Sequence, residues 1–363
     1  AAPAGRNPHT PPPRTGGVLS GFSWPDILTG LVRSEGLEET AATWALGEIL
    51  SGRASEVQIA AMLTALRAKG ETEDEISGLA EAMLAKATPI SVDPDAVDIV
   101  GTGGDRANTV NVSTMAAIVA AAAGAKVVKH GARAASSQSG TADTLEALGV
   151  RIDVEPEKQA GILDEVGIAF LFAQQYHPTM KTVAGVRKQL GIQTTFNFLG
   201  PLANPARPRA MARGVANDEM APVIARVLAE RGTRGMVFRG FDGLDELTTT
   251  SSSDVWMIAE GRVHRTVLDP TQLDLQPAAP HDLTGGDANH NAAVVHEVVN
   301  GARGPVRDIV VLNAAAGLLA YRSISTVQEL VVQLRGPLRD AQQAIDSGAA
   351  ARTLEAWIAA TRR

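Results

Sequence analysis

Helical spacing of apolar residues dominates the first part of the sequence. From Trp24 to about Thr88 the apolar positions recur at intervals of three and four residues, as they do at Ile59, Met62 and Leu63. Polar residues that favour a helix start and glycines that favour a helix end separate these segments. No alternation typical of a strand occurs there. The pattern predicts a small all-helical domain over residues 24–92.

The pattern changes after residue 92, where short apolar strands alternate with helices. Strands are predicted at 97–100, 126–129, 169–172, 211–216 and 236–238, and helices at 113–123, 142–148 and 219–231. Residues 177–190 are predicted to be helical. Residues 247–268 alternate as antiparallel strands do, and the chain after Asp287 is mostly helical.

Alternation of strands and helices at these lengths favours right-handed crossovers and a mainly parallel sheet. We therefore predict an α/β fold with two domains. A small all-helical domain comprises residues 24–92, and helices from about 177–204 return to it. A larger α/β domain with a mainly parallel central sheet comprises residues 93–176 and 205–363. Glycine-rich loops follow its strands, so we expect the functional site at the carboxyl edge of the sheet.

Composition narrows the function. The chain of 363 residues has 40 acidic side chains against 33 lysines and arginines, a net charge of −7, which argues against a general nucleic-acid binder. The absence of cysteine excludes disulfides, thiolate metal sites and a cysteine nucleophile. No apolar run approaches the length of a membrane span. Residues 1–23 lack the apolar centre of a signal peptide and are predicted to be a disordered tail or a remnant added for expression. These features indicate a soluble enzyme.

Three consecutive loops at predicted strand ends carry chemistry that suits anions. The first, Gly101-Thr102-Gly103-Gly104-Asp105, lets backbone N–H groups converge on a phosphate, although an ordinary turn has the same composition. The second, Asn111-Val112-Ser113-Thr114, opens a helix, where the hydroxyls cap the helix or join its N-terminus in binding a phosphate. The third runs from Lys129 to Ser137 and contains two cations and two serines. Together they indicate a ligand with more than one phosphate group.

Adjacent carboxylates and two histidines complete the candidate chemistry. Asp245 and Glu246 are surface acids near a turn or, beside a polyphosphate pocket, ligands of Mg²⁺, which binds through one or two carboxylates plus substrate phosphates. His130 and His177 are structural or act as general bases. The histidines lack ligand spacing, so a zinc site is not expected.

Six motifs now point to a family. GTGGD, NVST, KHGARAASS, GTADTLEALG, FNFLGPLANPA and DGLDE occur in this order, and from about Trp24 to the C-terminus the chain resembles the anthranilate phosphoribosyltransferase family. The resemblance implies a nucleoside phosphorylase/phosphoribosyltransferase-like fold, usually a homodimer, and a cytoplasmic location. It implies Mg²⁺-dependent transfer of phosphoribose from 5-phosphoribosyl 1-diphosphate (PRPP) to the amino group of anthranilate, in tryptophan biosynthesis.

The resemblance also implies residue roles. Donor contacts are expected from Gly101, Gly104, Asp105, Thr109, Asn111, Ser113, Thr114, Lys129, Arg133, Ser136, Ser137 and Thr141. The expected Mg²⁺ ligands are Ser113, Asp245 and Glu246. The acceptor is expected to contact Gly101, His130, Ala132, Gln174, Tyr176, His177 and Arg187. The residues expected to be catalytic are Lys129, Arg187, Asp245 and Glu246.

Departures from the family pattern fall mainly on the acceptor side. Ala132 stands where the family motif has asparagine, Gln174 where it has proline, and Arg239 where it has histidine, while Arg106 replaces a glycine after GTGGD. One hypothesis is that the acceptor is another aromatic ring, such as a substituted benzoate; the other is drift with compensation. Two further alternatives are a pyrimidine nucleoside phosphorylase, against which the acidic pair argues, and a catalytically inactive binding protein.

Overall fold

A single seven-stranded sheet forms the centre of the larger unit. The computed structural model describes residues 21–134 and 138–363. The strands are β1 (Val97–Gly101), β2 (Val127–Gly131), β3 (Ile168–Phe172), β4 (Ala210–Gly214), β5 (Arg234–Gly240), β6 (Ser253–Ala259) and β7 (Arg262–Leu268). Their order is β3-β2-β1-β4-β5-β6-β7; β1 to β5 are parallel, and β6 and β7 add antiparallel at one edge. The predicted α/β fold with a mainly parallel sheet is confirmed.

Helices precede the sheet and cover both of its faces. In chain order they are α1 (Trp24–Val32), α2 (Glu39–Leu50), α3 (Glu56–Lys69), α4 (Glu73–Ala85), α5 (Val112–Ala122), α6 (Thr141–Leu148), α7 (Pro156–Val166), α8 (Ala173–Tyr176), α9 (Lys181–Leu190), α10 (Phe196–Leu199), α11 (Met220–Glu230), α12 (Ala288–Val299), α13 (Pro305–Arg322), α14 (Leu330–Asp346) and α15 (Ala349–Thr361). The capping boxes that open α3 and α4, Ser55 with Gln58 and Thr72 with Glu75, are present.

Alternate strand residues point into different cores, as the period of a strand requires. On β4 and β5, Ala212 and Phe238 pack with α5 and α13 in one apolar core. Met211 and Val237 pack on the opposite face with α11 and with residues of α1 to α4. Helix α9 packs against α2 and α3, and its buried Val183 belongs to that second core.

Two local predictions need correction, and one helix was not predicted. Residues 177–190 do not form one helix, because Pro178–Met180 is a 3-10 turn from which α9 then starts. Residues 247–252 are a loop, since side-chain hydrogen bonds to Asp242 fold this stretch back before β6 begins. Helix α7 was not predicted, because only three of its residues are buried, namely Gln159, Ile162 and Leu163, and one of these is polar. Too few apolar positions remained to reveal a helical period.

The strand order places a crevice at the middle of the sheet. From β1 the chain moves outward through β2 and β3, and then returns to the other side of β1 with β4 and β5. In parallel sheets, ligands bind beyond the carboxyl ends of the strands at this reversal. The gap between the ends of β1 and β4 is therefore where a ligand is expected. None of the helices in the described part of the chain is both long and apolar enough to span a bilayer.

Candidate active site

The acidic loop that follows β5 crosses the ends of β1 and β4. Gly101 and Gly214 are neighbours in register at these ends. A Cβ on Gly101 would overlap the Asp245 carboxylate, and one on Gly214 would overlap the Asp245 backbone. The carboxylate is fixed further by Gly103, whose N–H donates to Asp245 Oδ2 at 2.6 Å. Glycine is thus required at both strand ends, because it lets the acidic loop lie directly over the reversal point.

The acids of the DGLDE motif have different structural roles. Asp242 turns inward: its carboxylate accepts hydrogen bonds from the Leu244 N–H at 3.1 Å, the Thr248 hydroxyl at 2.7 Å and the Thr250 hydroxyl. Asp242 therefore folds the loop, and its acceptor oxygens are occupied. Asp245 and Glu246 are each only 8% exposed. These two acids therefore remain over the ends of β1 and β4, where a ligand is expected.

The negative charges of Asp245 and Glu246 are poorly balanced by nearby cations. Burial raises the pKa of Asp245 to about 7, and the nearby charge of Asp105 adds to the shift. Burial also raises the pKa of Glu246 well above its usual value; the Asp245 charge reinforces this rise and Lys129 opposes it. Crowded carboxylates with one opposing cation are held in an unfavourable state, which a bound cation would relieve.

The donor set of this loop fits Mg²⁺. Among the residues that the structure describes, no three histidine, cysteine or carboxylate side chains form a metal cage. Mg²⁺ does not need one, because it retains waters and binds through one or two carboxylates together with substrate phosphates. Asp245 and Glu246 supply the carboxylates, and the charge repulsion between them is the structural feature that favours a divalent ion.

Lys129 lies beneath the acidic pair and is completely buried. Its Nζ donates to the Ile99 carbonyl at 2.6 Å and to the Ser113 hydroxyl at 3.1 Å. Burial lowers the pKa of Lys129, while the charges of Asp98, Glu246 and Asp245 oppose that shift. An ammonium has three donors, so the contacts among the described residues use two of them. Ser113 lies in the first turn of α5, so this contact joins the cation to a helix N-terminus.

The other polar residues around the start of α5 are more constrained than the sequence suggested. The Asn111 Oδ1 accepts from Thr144 at 2.5 Å and from Asn291 at 2.9 Å, so its amide joins three helices. Thr114 is 1% exposed and its hydroxyl has no partner within the described structure. Thr109 forms an isolated bridge with Thr284. Of the residues in this region, Ser113 is the one that contacts Lys129.

The third anion-binding loop is only partly described. Ser136 and Ser137, two predicted donor contacts, lie outside the described residues. The Arg133 guanidinium donates to Asp143 at 2.8 Å and to Glu146 at 2.5 Å, both on α6. Both hydrogen bonds are donated by Nη1 and hold the loop against α6 in this conformation. The predicted contact of Arg133 with a phosphate would have to use its remaining donors or replace these ion pairs. Thr141 is the first residue of α6, and its side chain lies against Gly131.

A narrow cleft opens between the glycine loop and the segment before α10. It has a volume of about 180 Å³ and is lined on one side by Thr102, Gly103 and Gly104. Gln193 and Asn197 line the opposite side. The glycine loop keeps the geometry that its composition predicted, because Gly103 and Gly104 have φ values of +69° and +84°.

Two histidines on the acceptor side are fixed by backbone carbonyls. The His130 Nδ1 lies 3.2 Å from the Gly200 carbonyl, and the His177 Nε2 lies 2.8 Å from the Ala203 carbonyl. Because a carbonyl only accepts, each of these nitrogens carries the proton. The His130 Nε2 then has a lone pair, and it is buried without a partner in the described structure. Burial lowers the pKa of His130 to about 3, and His177 adds to the effect.

Arg187 is a partly buried cation without an acid. Its guanidinium stacks over the Phe196 ring, 5.3 Å from the ring centroid, and it forms no ion pair with any described residue. Burial lowers its pKa, although an arginine stays charged at neutral pH. An unpaired guanidinium on an aromatic platform is suited to a ligand carboxylate.

One predicted acceptor contact, Tyr176, is not brought to an accessible position. Tyr176 is completely buried in an apolar cluster with Leu163 and Leu171, because the short helix α8 turns it back onto the sheet. Its side chain therefore cannot contact a ligand in this conformation. Gln174 is exposed on the same helix, and Ala132 is exposed in the loop after β2.

Sequence reasoning missed a buried polar group beside the histidines. Asp98 on β1 accepts from the His130 N–H at 3.3 Å and from Asn204 Nδ2 at 3.0 Å. Arg213 on β4 is completely buried, and the Asp98 charge favours its charged form. The signal available in the sequence was a charged residue within each of two otherwise apolar strands, VDIVG and AMARG.

The chain matches known families along most of its length. The model of the glycosyl transferase family a/b domain matches residues 93–351, and that of the helical bundle domain matches residues 25–87. An anthranilate phosphoribosyltransferase of an Arthrobacter species is 54% identical over 343 residues, which cover 94% of this chain and 97% of the relative. One from a Nocardioides species is 53% identical over 341 residues, which cover 94% and 99%.

Solved structures agree with these relatives. The anthranilate phosphoribosyltransferase of Thermus thermophilus has a TM-score of 0.86 and 39% identity, covering 93% of this chain and all of that one. The Saccharomyces cerevisiae enzyme in complex with PRPP and Mg has a TM-score of 0.84 and 29% identity, covering 94% and 99%. With fold, motifs and relatives in agreement, the chain belongs to the anthranilate phosphoribosyltransferase family.

Proposed function

We propose that this protein transfers the phosphoribosyl group of PRPP to the amino group of anthranilate and releases pyrophosphate, as a Mg²⁺-dependent enzyme of tryptophan biosynthesis. The observation that carries this proposal is the position of Asp245 and Glu246, buried together over the reversal point of the sheet and next to Lys129. The relatives of about 50% identity carry this activity in their names. They give no support to another aromatic acceptor or to a nucleoside phosphorylase.

The donor side supplies fixed positive charge. The Gly104 N–H and the N-terminus of α5 would bind phosphate oxygens, whereas the Gly103 N–H is already donated to Asp245. Lys129 would neutralise charge as the diphosphate departs, because its ammonium is already held in place and needs no reorganisation. Ser113, Asp245 and Glu246 would hold Mg²⁺, which supplies further neutralisation of the leaving group when bound.

The acceptor side orients an aromatic acid. Arg187 would bind the anthranilate carboxylate and so hold the amine in position to attack. His130 is neutral at physiological pH, so its Nε2 lone pair would accept a hydrogen bond from the amine without removing its proton. An aromatic amine is a weak base, and the reaction therefore needs no strong general base in the site.

Product identification tests the proposal directly. The purified chain is incubated with PRPP, Mg²⁺ and a mixture of anthranilate and substituted benzoates, and the products are identified by mass spectrometry. Phosphoribosyl anthranilate, formed only when Mg²⁺ is present, is the expected product. The proposed acceptor is wrong if a benzoate reacts and anthranilate does not. If a parallel incubation with thymidine or uridine and inorganic phosphate yields the free base and a pentose 1-phosphate instead, the donor assignment is wrong as well.

A replacement at Ala132 tests the acceptor side separately. The resemblance implies an asparagine amide at this position, which this chain lacks. If the site has only drifted, Ala132→Asn should lower the KM for anthranilate, by about tenfold at most, since one hydrogen bond contributes about 1 kcal/mol. The KM for PRPP serves as the internal control and should stay the same. A higher KM for anthranilate would instead indicate a site adapted to another ring.

The proposal extends to assembly, location and domain limits. A homodimer is supported by a partly exposed aromatic group, Phe22, Trp24 and Trp44, on the helical unit, which also has the exposed apolar residues Val32 and Val57. A second copy of this chain would cover this aromatic group, and light scattering before and after Trp44→Glu tests whether the chain is a dimer.

The proposed domain limits are residues 24–92 with 177–204, and residues 93–176 with 205–363. The packing of α9 on α2 and α3 supports this division. A cytoplasmic location follows from the resemblance alone.

A further inference from the structure

A buried asparagine lies below the acidic loop, in a helix that is otherwise apolar along this face. Asn313 is in the middle of α13, and it is completely buried, as are its neighbours Leu312 and Ala314. Burying a side-chain amide is unfavourable unless all of its polar atoms find partners. A residue of this kind within a close-packed helix therefore calls for a specific explanation.

All the hydrogen-bonding groups of the Asn313 amide are used. Its Oδ1 accepts from the Leu247 N–H at 3.0 Å, and its Nδ2 donates to the Leu247 carbonyl at 2.8 Å. The second Nδ2 proton goes to the Ile309 carbonyl of α13 at 2.9 Å. The side chain thus pairs with both polar groups of one residue, as a neighbouring strand would, and anchors that residue to the helix.

Leu247 is the residue that follows Glu246. It is completely buried and lies outside the strands, so its N–H and C=O have no sheet partner to satisfy them. Asp242 organises the same loop from its other end through Leu244, Thr248 and Thr250. Asp245 and Glu246 therefore lie between two fixed points, one supplied by Asp242 and the other by α13.

We infer that Asn313 is a positioning residue for the acidic pair: it fixes the backbone next to Glu246 so that both carboxylates are held where a divalent cation binds. The inference rests on the metal-binding part of the proposed function. Groups that orient metal ligands commonly change metal affinity by tenfold or more when removed. Removal of the Asn313 amide should therefore weaken metal binding more than its effect on stability accounts for.

Gln159 provides a matched control for a purely structural role. It is another buried side-chain amide, 2% exposed, and its Nε2 donates to the Phe170 carbonyl at 3.0 Å. It joins α7 to β3 and makes no contact with the acidic loop. Gln159→Leu and Asn313→Leu both remove a buried amide that bonds to a backbone carbonyl. Only Asn313→Leu frees the backbone next to Glu246.

The experiment measures metal binding without turnover. Binding of Mn²⁺, which suits the same oxygen ligands, is followed by electron paramagnetic resonance in the presence of pyrophosphate. The dissociation constant for Mn²⁺ should rise about tenfold in Asn313→Leu and remain unchanged in Gln159→Leu. Thermal unfolding verifies that each variant is folded, and Asn313→Ser replaces Asn313→Leu if the latter does not fold. In steady-state assays, the Mg²⁺ concentration for half-maximal rate should rise, with the KM for anthranilate unchanged.

The outcomes separate this inference from the proposed function. A folded Asn313 variant with wild-type Mn²⁺ affinity overturns the inference, and so does an equal loss of affinity in Gln159→Leu. A wild-type chain that binds no Mn²⁺ overturns it too. If the wild type binds Mn²⁺ and the Asn313 variant loses affinity, but no phosphoribosyl anthranilate forms, the inference stands and the proposed function fails.

Discussion

Buried acids occur at two places around the same sheet, Asp98 within β1 and the pair Asp245 and Glu246 in the loop after β5, and the two places differ in how the negative charge is balanced. Asp98 lies inside β1, where Asn204 and the His130 N–H donate to it and where Arg213 and Lys129 favour its charge, although burial raises its pKa. Asp245 and Glu246 lie beyond the strand ends, and there the neighbouring carboxylates reinforce the effect of burial. Two cations and two hydrogen-bond donors oppose the effect of burial at Asp98, whereas the acidic pair has Lys129 as its opposing cation and the additional charge of Asp105 beside it.

This difference separates a structural acid from acids kept for a ligand. The hydrogen bonds of Asp98 connect β1 to β2 and to the segment at residue 204, so its charge helps to fix the sheet. The carboxylates of the acidic pair also accept backbone hydrogen bonds, from Gly103 and from Ser113, but burial and the carboxylates beside them still raise their pKa values. Unfavourable local electrostatics of this kind are typical of binding sites.

Neutralising the acidic pair should have the largest effect on activity. We expect Asp245→Asn combined with Glu246→Gln to lower kcat/KM by about a thousandfold, because the cation that stabilises the departing diphosphate loses both carboxylate ligands. The free energy of unfolding should stay the same or rise, because the repulsion between the two charges is removed. Steady-state kinetics and urea unfolding measure the two quantities. Unchanged Mg²⁺ dependence in this variant would refute the metal assignment.

Neutralising Asp98 should instead lower the free energy of unfolding. Asp98→Asn is expected to lower the free energy of unfolding by about 2 kcal/mol, because the completely buried Arg213 guanidinium loses the nearby charge that favours its charged form. Adding Arg213→Met should restore most of this loss, since the uncompensated charge is then gone. Urea unfolding of both single variants and the double variant forms the cycle. A double variant as unstable as Asp98→Asn alone would show that the two charges do not depend on each other.

The comparison also shows what the sequence could and could not predict. Lys129 and the glycine loop were predicted because one ends a predicted strand and the other follows one, which places both near the carboxyl edge whatever the exact register. Asp98 and Arg213 were missed, since their partnership depends on which strands are neighbours in the sheet. Asn313 was missed for a similar reason: its partner Leu247 lies 66 residues away. Periodicity describes only neighbours along the chain, so contacts of this range need the three-dimensional fold.

Residues around α8 illustrate a second limit. The motif placed Tyr176 and His177 together on the acceptor side, but successive residues of a one-turn helix point in different directions. His177 reaches the Ala203 carbonyl, whereas Tyr176 is buried in the apolar cluster behind the sheet. Resemblance to a family places a segment correctly in such cases, while the direction of each side chain depends on local packing.

The histidine that shares a hydrogen bond with Asp98 predicts a pH effect of intermediate size. The pKa of His130 is about 3 in the folded state, below its usual value of 6.5, so the unfolded chain binds the proton more readily. Its contribution to stability is complete above pH 6.5 and is lost as the pH falls toward 3. We expect the free energy of unfolding to decrease by about 1 kcal/mol between pH 6.5 and 5.5 on account of this residue.

Replacement by an uncharged amide isolates that contribution. His130→Gln should flatten the fall in stability between pH 6.5 and 5.5, because glutamine takes up no proton. His264, an exposed histidine on β7, provides the control, and His264→Gln should leave the slope unchanged. Urea unfolding at several pH values measures both slopes. An unchanged slope in His130→Gln would mean that the ring is not buried in its neutral form, and it would also weaken the structural role assigned to this side of the sheet.

The smallest predicted effect tests whether Arg106 compensates the acidic pair. Arg106 is the exposed cation next to Asp105, and its φ of +62° is unfavourable for an arginine, whereas glycine and, less readily, asparagine adopt it. If it does not balance the acids, Arg106→Gly should raise the free energy of unfolding by about 0.5 kcal/mol, because the relief of backbone strain slightly exceeds the added flexibility of the unfolded chain. Asn108→Gly, at a φ of +51°, is the matched control for strain alone. Lower stability in Arg106→Gly, but not in Asn108→Gly, would show that Arg106 is a second cation partner of the acids beside Lys129, and the difference in charge balance between the acidic pair and Asp98 would then be smaller.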